Sequence, residues 1–294
     1  MRRGGIDHYL IRNEQGATLM ANGYARATGE VGVALTVPGP GSTNAATGLG
    51  DALTDCVPVL LVTGGTEVAH DGRDRSKVFH GLDQAPFFAP ISRFYARPER
   101  PEEIPAAIAG AFAALRAPRP GPAVIEIPSD VAQMEADVAI FDRIIGARPE
   151  PDPAEIAAIA DLMTTWQRPA LLVGNNVIAA GATAELQALA EALSAPALMT
   201  RLGKGALSDA HPLCVSSCSA KLGRQILAQA DGLLIVGARL TQIDTAGWTL
   251  ELPQSRAQLD PDPAELGREV DIAAGAAGDL RRTQAGESLN VEAI

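Results

Sequence analysis

Two kinds of apolar spacing alternate along the chain. From Glu14 to Ala27, the positions Ala17, Met20, Ala21, Tyr24 and Ala25 recur at helical spacing and predict an amphipathic helix. Asn13 suits its N-cap and Gly29 its C-terminal stop. Val31–Val37 then reads as a strand, the PGPG run Pro38–Gly41 as a turn, and Thr43–Leu53 as a second helix. Val57–Thr63 follows as a strongly apolar strand. Near-continuous apolar strands separated by helices predict a parallel sheet covered on both faces. Gly64–Arg97 is polar and irregular and reads as one long loop, a feature that is usually functional or else mobile. Pro105–Ala117 predicts an alanine-rich helix with proline near its start, and Ala123–Ile127 a buried strand closed by Pro128.

The run ARPEPDP, Ala147–Pro153, reads as an interdomain linker. After it the alternation resumes. Helices are expected at Ala154–Trp166, Ala182–Leu193 and Ala220–Ala230, and strands at Ala170–Val173, Ala197–Thr200, Gly232–Val236 and Ala257–Asp260. From about Arg281 the periodicity is lost. The expected organisation is therefore two α/β domains with doubly wound parallel sheets, over residues 1–148 and 153–280, followed by an unstructured or foreign tail over 281–294.

Composition narrows the function classes. A chain of 294 residues, 47% of them apolar, can bury two cores. Acidic residues outnumber basic ones by 35 to 24, so neither nucleic acid nor an anionic membrane surface is an expected partner. Cys56, Cys214 and Cys218 form no CxxC pair and read as inert thiols of a reducing compartment. No signal-peptide pattern follows the basic N-terminus, and a cytoplasmic location is expected.

Candidate chemistry sits mainly in the first half. Glu14 lies in the first turn of its helix, a position that by itself only suits the helix dipole. Pro38–Gly41 followed by Ser42, Thr43 and Asn44 is a strand-to-helix turn whose glycines let a flat ring approach the backbone. It breaks the GxGxxG spacing, so it is not a dinucleotide fingerprint. His80 and Gln84 lie in the long loop, with Arg73 and Arg75, which are expected to pair with Asp71 and Asp74. His8, His70 and His211 lack ligand-like spacing, and no metal site is expected within the chain. Asp260, after a strand, lies in a PDP context that reads as a turn.

Three ordered stretches, RNEQGATLMANGYARATGEVGV from Arg12, VPGPGSTNAATGLGDALTDCVPVLLVTGG from Val37 and GPAVIEIPSDV from Gly121, resemble the pyrimidine-binding domain of the thiamine-diphosphate-dependent family related to acetolactate synthase. RLGKGALSDAHPL, LIVGARL and LDPDPAELGREV resemble that family's Rossmann-like central domain. The resemblance implies that Glu14 activates the cofactor's aminopyrimidine for removal of the thiazolium C2 proton. A carboxyl group in an apolar pocket has a raised pKa and can share a proton with N1′. It further implies that Pro40, Gly41, Asn44 and Gln84 line the cofactor site, and that His80 faces the thiazolium and substrate. Synthases typically carry Phe-Gln-Glu where this chain reads Phe79-His80-Gly81, and related decarboxylases place histidine in this region for proton transfer.

The reaction so implied is decarboxylation of a 2-oxo acid, with or without carboligation, in a homo-oligomer. FAD, which the synthases hold in the central domain, is not favoured. No Gly-Asp-Gly…Asn motif for Mg²⁺ and diphosphate is found, only Gly50-Asp51-Ala52 and Gly278-Asp279-Leu280. The chain is accordingly expected to be a fragment or subunit whose diphosphate-binding domain lies in another chain or a missing segment. The alternatives are a catalytically silent truncated or regulatory pseudo-subunit, and a nucleotide-binding α/β module.

Overall fold

A computed structural model describes residues 5–140 and 149–284. The chain divides into two units, Met1–Ala147 and Arg148–Ile294, each containing its own parallel sheet.

In the first unit, helix α1 (Glu14–Thr28) starts where the Asn13 side chain accepts the Gln15 N–H at 2.9 Å, and ends where Gly29 turns left-handed at φ +73°. Strand β1 (Gly32–Thr36), helix α2 (Pro40–Asp55), strand β2 (Val59–Gly65), the short helix α3 (Gln84–Phe88), strand β3 (Phe94–Ala96), helix α4 (Ile104–Leu115) and strand β4 (Ala123–Pro128) follow. The sheet order is β1-β2-β4-β3, all parallel, with Ala34 beside Leu61 and Leu61 beside Val124. Alternate strand residues face opposite layers. Leu61 and Val124 pack with Ala21, Ala25, Leu49 and Phe88 on one face, while Leu60 and Ile125 pack with Ala111 and Leu115 of α4 on the other.

The second unit comprises α5 (Pro153–Met163), β5 (Pro169–Val173), α6 (Asn175–Ala180), α7 (Thr183–Ala192), β6 (Ala197–Met199), β7 (Cys214–Val215), α8 (Lys221–Gln229), β8 (Gly232–Val236), β9 (Ser255–Asp260), β10 (Ala274–Ala277) and α9 (Leu280–Gln284). Its six parallel strands are ordered β10-β9-β8-β5-β6-β7, and both faces carry buried clusters, one around Leu171, Leu186 and Leu234, the other around Leu172, Leu227 and Leu233. Each unit thus has the doubly wound parallel sheet that the apolar runs predict. Among the described residues no helix is long and apolar enough to cross a membrane.

The structure departs from the sequence expectation in several places. Helix α2 begins at Pro40 rather than Thr43, because proline's fixed φ suits the first helical position and Gly39 supplies the turn before it. Gly64–Arg97 is not one loop. It holds two 3₁₀ turns, Val68–His70 and Arg75–Lys77, as well as α3 and β3. Strands β3, β7 and β10 and helix α6 are too short for their spacing to register; pairing and packing define them. Leu280–Gln284 is helical where loss of pattern is expected from about Arg281, with the Arg281 Nε donating to the Gly181 carbonyl at 3.0 Å. Residues 285–294 of that expected tail lie outside the described residues.

Helices α1 and α2 cross closely. A Cβ on Gly48 would stand 2.4 Å from the Thr18 hydroxyl and 2.8 Å from its carbonyl carbon. Thr18 donates to the Ala45 carbonyl at 2.9 Å, and the Asn22 amide to Asp51 at 2.8 Å. Gly48→Val should therefore force the helices apart and destabilise the protein by about 1–3 kcal/mol, read as a lower urea midpoint. An unchanged midpoint would contradict the close crossing.

Candidate active site

The site candidates gather where β1 and β2 end. Ligands of open parallel sheets bind beyond the carboxyl ends of the strands, where loops converge. Thr36 and Thr63 tie the two strand ends through their hydroxyls at 3.0 Å. The chain then leaves β1 through Val37–Gly41 and turns into α2.

Gly39 makes that turn possible. Its φ of +61° with ψ of −114° is a conformation that only glycine adopts without strain. A Cβ there would lie 2.9 Å from the Cβ and the carbonyl oxygen of His80. The main chain of His80, itself at φ +57°, is thereby seated against the turn. The ring of Phe79 stacks on the His80 imidazole at 3.9 Å between centroids, although Phe79 is 85% exposed.

Glu14 lies against Gly41, two residues further along the turn. A Cβ on Gly41 would sit 3.3 Å from Glu14 Oε1 and 2.5 Å from a methyl of Val37, so the missing side chain leaves room for the carboxylate. Glu14 Oε2 accepts the Asn44 amide at 3.2 Å. Its own backbone N–H and Asn44 together hold the Glu14 carboxyl below the ordinary carboxylate range. The uncovered chain thus differs from the raised pKa expected of a carboxyl in an apolar pocket. In this chain Glu14 stands partly exposed at a helix start, and no apolar pocket formed by the described residues encloses it.

Gln84 is 2% exposed and opens α3. Its Nε2 donates to the Gly64 carbonyl at 2.9 Å, and a Cβ on Gly64 would stand 2.8 Å from the Pro38 ring, so Gln84 braces the turn from beneath. Pro40 is the first residue of α2, and its carbonyl accepts the Thr43 hydroxyl at 2.9 Å. The six candidates Glu14, Pro40, Gly41, Asn44, His80 and Gln84 thus gather at one turn, although they come from three stretches of sequence.

Sequence reasoning marked Gly39 as a turn glycine but missed its contact with His80. It also missed the polar groups behind the 66–83 segment. The Glu126 carboxylate, buried at the end of β4, accepts Arg97 Nε at 3.2 Å and the Tyr95 hydroxyl. Burial first, then the Glu126 hydrogen bond, pushes the Tyr95 phenol well above its ordinary range, so it remains a donor. Arg97 also grips Asp71 through two nitrogens, at 3.0 and 3.1 Å. Arg75 pairs with the same Asp71 at 3.2 Å, and Lys77 with Asp74 at 3.8 Å.

In the second unit a cleft of about 310 Å³ lies beyond β6, β7 and β8, with Arg201, Lys204, Ser217 and Asp244 on its walls. Asp244 accepts the Arg201 backbone N–H at 3.0 Å and the Thr241 hydroxyl at 2.7 Å. Burial, with help from Asp244, pushes the Cys218 thiol up to about 11, which keeps it protonated and unreactive at neutral pH. The Asp260 carboxylate accepts the Asp262 N–H at 3.0 Å within its turn. Among the described residues no group of three or more His, Cys, Asp or Glu side chains could hold a metal ion.

Comparison with known proteins places this geometry in context. The family profile "Thiamine pyrophosphate enzyme, N-terminal TPP binding domain" matches residues 1–87, and "Thiamine pyrophosphate enzyme, central domain" matches residues 156–286. The chain is 34% identical over 285 residues to a probable acetolactate synthase large subunit of Methanocaldococcus jannaschii, covering 93% of this chain and 48% of that protein. It is 37% identical over 287 residues to a probable 2-ketoarginine decarboxylase of Pseudomonas aeruginosa, covering 95% and 50%. With the glyoxylate carboligase of Escherichia coli O157:H7 it shares 30% identity over 289 residues, covering 95% and 48%. The chain spans about half the length of the curated relatives it matches.

The hydrogen bond from Asn44 has a measurable signature. In Asn44→Ala the Glu14 carboxyl should titrate at higher pH than in the unaltered chain, because one of the two donors favouring the anion is gone. Carbon-13 detection of the Glu14 carboxyl across an acid titration reads this directly. A midpoint that does not move would show that the Asn44 contact does not form in solution.

Proposed function

Because this chain belongs to the thiamine pyrophosphate enzyme family, we propose that its first unit supplies the carboxyl group that activates the aminopyrimidine of thiamine diphosphate in an enzyme acting on 2-oxo acids. The observation that carries this reading is the bare turn beside an oriented carboxylate. Gly41 leaves a recess that a side chain would fill, and Glu14, steered by Asn44, stands at its mouth.

The residues present fit a flat heterocycle with a basic nitrogen. Thiamine diphosphate, when bound, supplies a nucleophilic carbon and an electron sink for decarboxylation of a 2-oxo acid. Glu14 holds a proton at the ring's N1′. In the uncovered chain this carboxyl is acidic, as its hydrogen bonds dictate. A ring laid over the turn would strip water from it and disfavour the anion, moving its pKa toward that of the ring nitrogen. Asn44 fixes the carboxyl's orientation, and Pro40, Gly41 and the Gly64-linked Gln84 form the wall behind it. His80, packed against Gly39, would take or give a proton at the substrate.

The names of two relatives, 2-ketoarginine decarboxylase and glyoxylate carboligase, support a 2-oxo acid as the substrate class. We assign Mg²⁺ and the diphosphate to a further domain, in another chain or another segment, with the assembly a homo-oligomer. No role is proposed for flavin.

The test is exchange of the cofactor's C2 proton for deuterium, followed by NMR, in this chain combined with a diphosphate-binding domain. Glu14→Gln should slow exchange by at least about a hundredfold, the scale of a lost acid–base group, with the melting temperature unchanged. His80→Gln should leave exchange intact and lower turnover of the 2-oxo acid. Equal exchange rates with and without the Glu14 carboxyl would remove it from the chemistry and favour a catalytically silent subunit.

A further inference from the structure

The segment carrying His80 has no long hydrophobic anchor of its own, yet it holds a defined shape. Its first support is Asp130, whose carboxylate accepts the backbone N–H groups of Val68, Ala69 and Val131 at 3.2, 3.3 and 3.0 Å. Burial opposes that charge, but the three donors hold Asp130 below its ordinary range. The second support is the buried end of β4. Glu126 holds Arg97, Arg97 holds Asp71 by a two-nitrogen fork, and Asp71 holds Arg75. Thr66 closes the ring: its carbonyl accepts Arg97 at 3.1 Å, and its hydroxyl accepts Arg75.

From Arg75 the chain runs to His80 through consecutive local turns. The Arg75 carbonyl accepts the Val78 N–H, the Val78 carbonyl accepts the Gly81 N–H, and the His80 carbonyl accepts the Leu82 N–H. Gly81 is pressed onto this turn, since a Cβ there would stand 2.1 Å from the Arg75 carbonyl oxygen. Arg75 and His80 are thus joined through consecutive backbone hydrogen bonds and a close backbone contact.

We propose that Arg97 is a positioning residue for His80. It acts through Asp71 and Arg75 and is itself anchored by the buried Glu126, so that an arginine just past the edge strand β3 sets where the imidazole meets the glycine turn. The proposal rests on the reading of His80 as part of the site. The reason for arginine is geometric. Its planar fork spans two carboxylates at once, whereas a lysine ammonium would satisfy one of them at a time.

The experiment measures backbone hydrogen exchange over residues 66–83 by mass spectrometry, together with the His80 ring resonances by NMR, assigned with His80→Gln. Arg97→Met and Asp71→Asn should each speed exchange of this segment by about tenfold or more and shift the His80 ring signals, while α1 and β1 keep their protection. Arg97→Lys should fall between. Arg100→Met, which removes the exposed pair with Glu103, should change neither readout. If Arg97→Met unfolds, Asp71→Asn decides, because Asp71 lies at the surface end of the chain of contacts. A folded Asp71→Asn with unaltered exchange and unaltered His80 signals overturns the proposal. These readouts need no cofactor. A loosened segment alongside an unaffected Glu14→Gln exchange rate would sink the cofactor reading and leave this inference standing.

Discussion

The close approach of α1 to α2 is the constraint on which the rest of the first unit depends. Glu14 sits at the start of one helix and Asn44 in the first turns of the other, so their 3.2 Å contact is set by how the two rods cross. Gly48 permits the crossing, Thr18 and Asn22 lock it by hydrogen bonds to the facing helix, and Arg26 fastens the far end through Asp55 at 2.8 Å. Small residues at the contact, Ala21, Ala25, Ala45 and Ala52, keep the axes near and explain the alanine and glycine richness of this region. The Glu14 carboxylate is thus aimed by packing more than a turn away from it.

Much of this was legible in the sequence. The Asn13 cap, the apolar spacing behind Glu14 and the Gly29 stop are local signals, and local signals survive as structure because they act within a few residues. The parallel sheets were legible for the same reason, since strands buried on both faces must be apolar throughout. What escaped was set by partners distant in the chain. Gly39 has no room for a Cβ because His80, some forty residues later, lies against it. Arg97 and Glu126 meet across 29 positions, and nothing in YARPERPEE marks the arginine as a linker. Strand β3 exists because β4 offers it an edge, and three residues cannot announce a period.

The acidity of Glu14 shows the same division between local and distant causes. Its own backbone N–H, a local cause, and Asn44, 30 positions away in sequence, both lower the pKa; the enclosure that would raise it is not provided by the described residues of this chain. Glu126 is the converse case. It is buried within the unit, its charge is balanced by Arg97 and it accepts a proton donor in Tyr95, so its surroundings are complete. One carboxylate is set up to change its environment and the other to keep it.

The strand order carries a temporal meaning. Because β4 follows His80 in the chain, the stretch that bears His80 is synthesised before the strand that will hold it in place. A nascent chain emerging from the ribosome would have α1, β1, α2 and β2 in hand while Asp71, Arg75 and Arg97 still waited for Glu126. The moorings of the histidine segment therefore depend on a strand made after it, and a ribosome that stalled short of β4 would leave Asp71, Arg75 and Arg97 without their buried carboxylate.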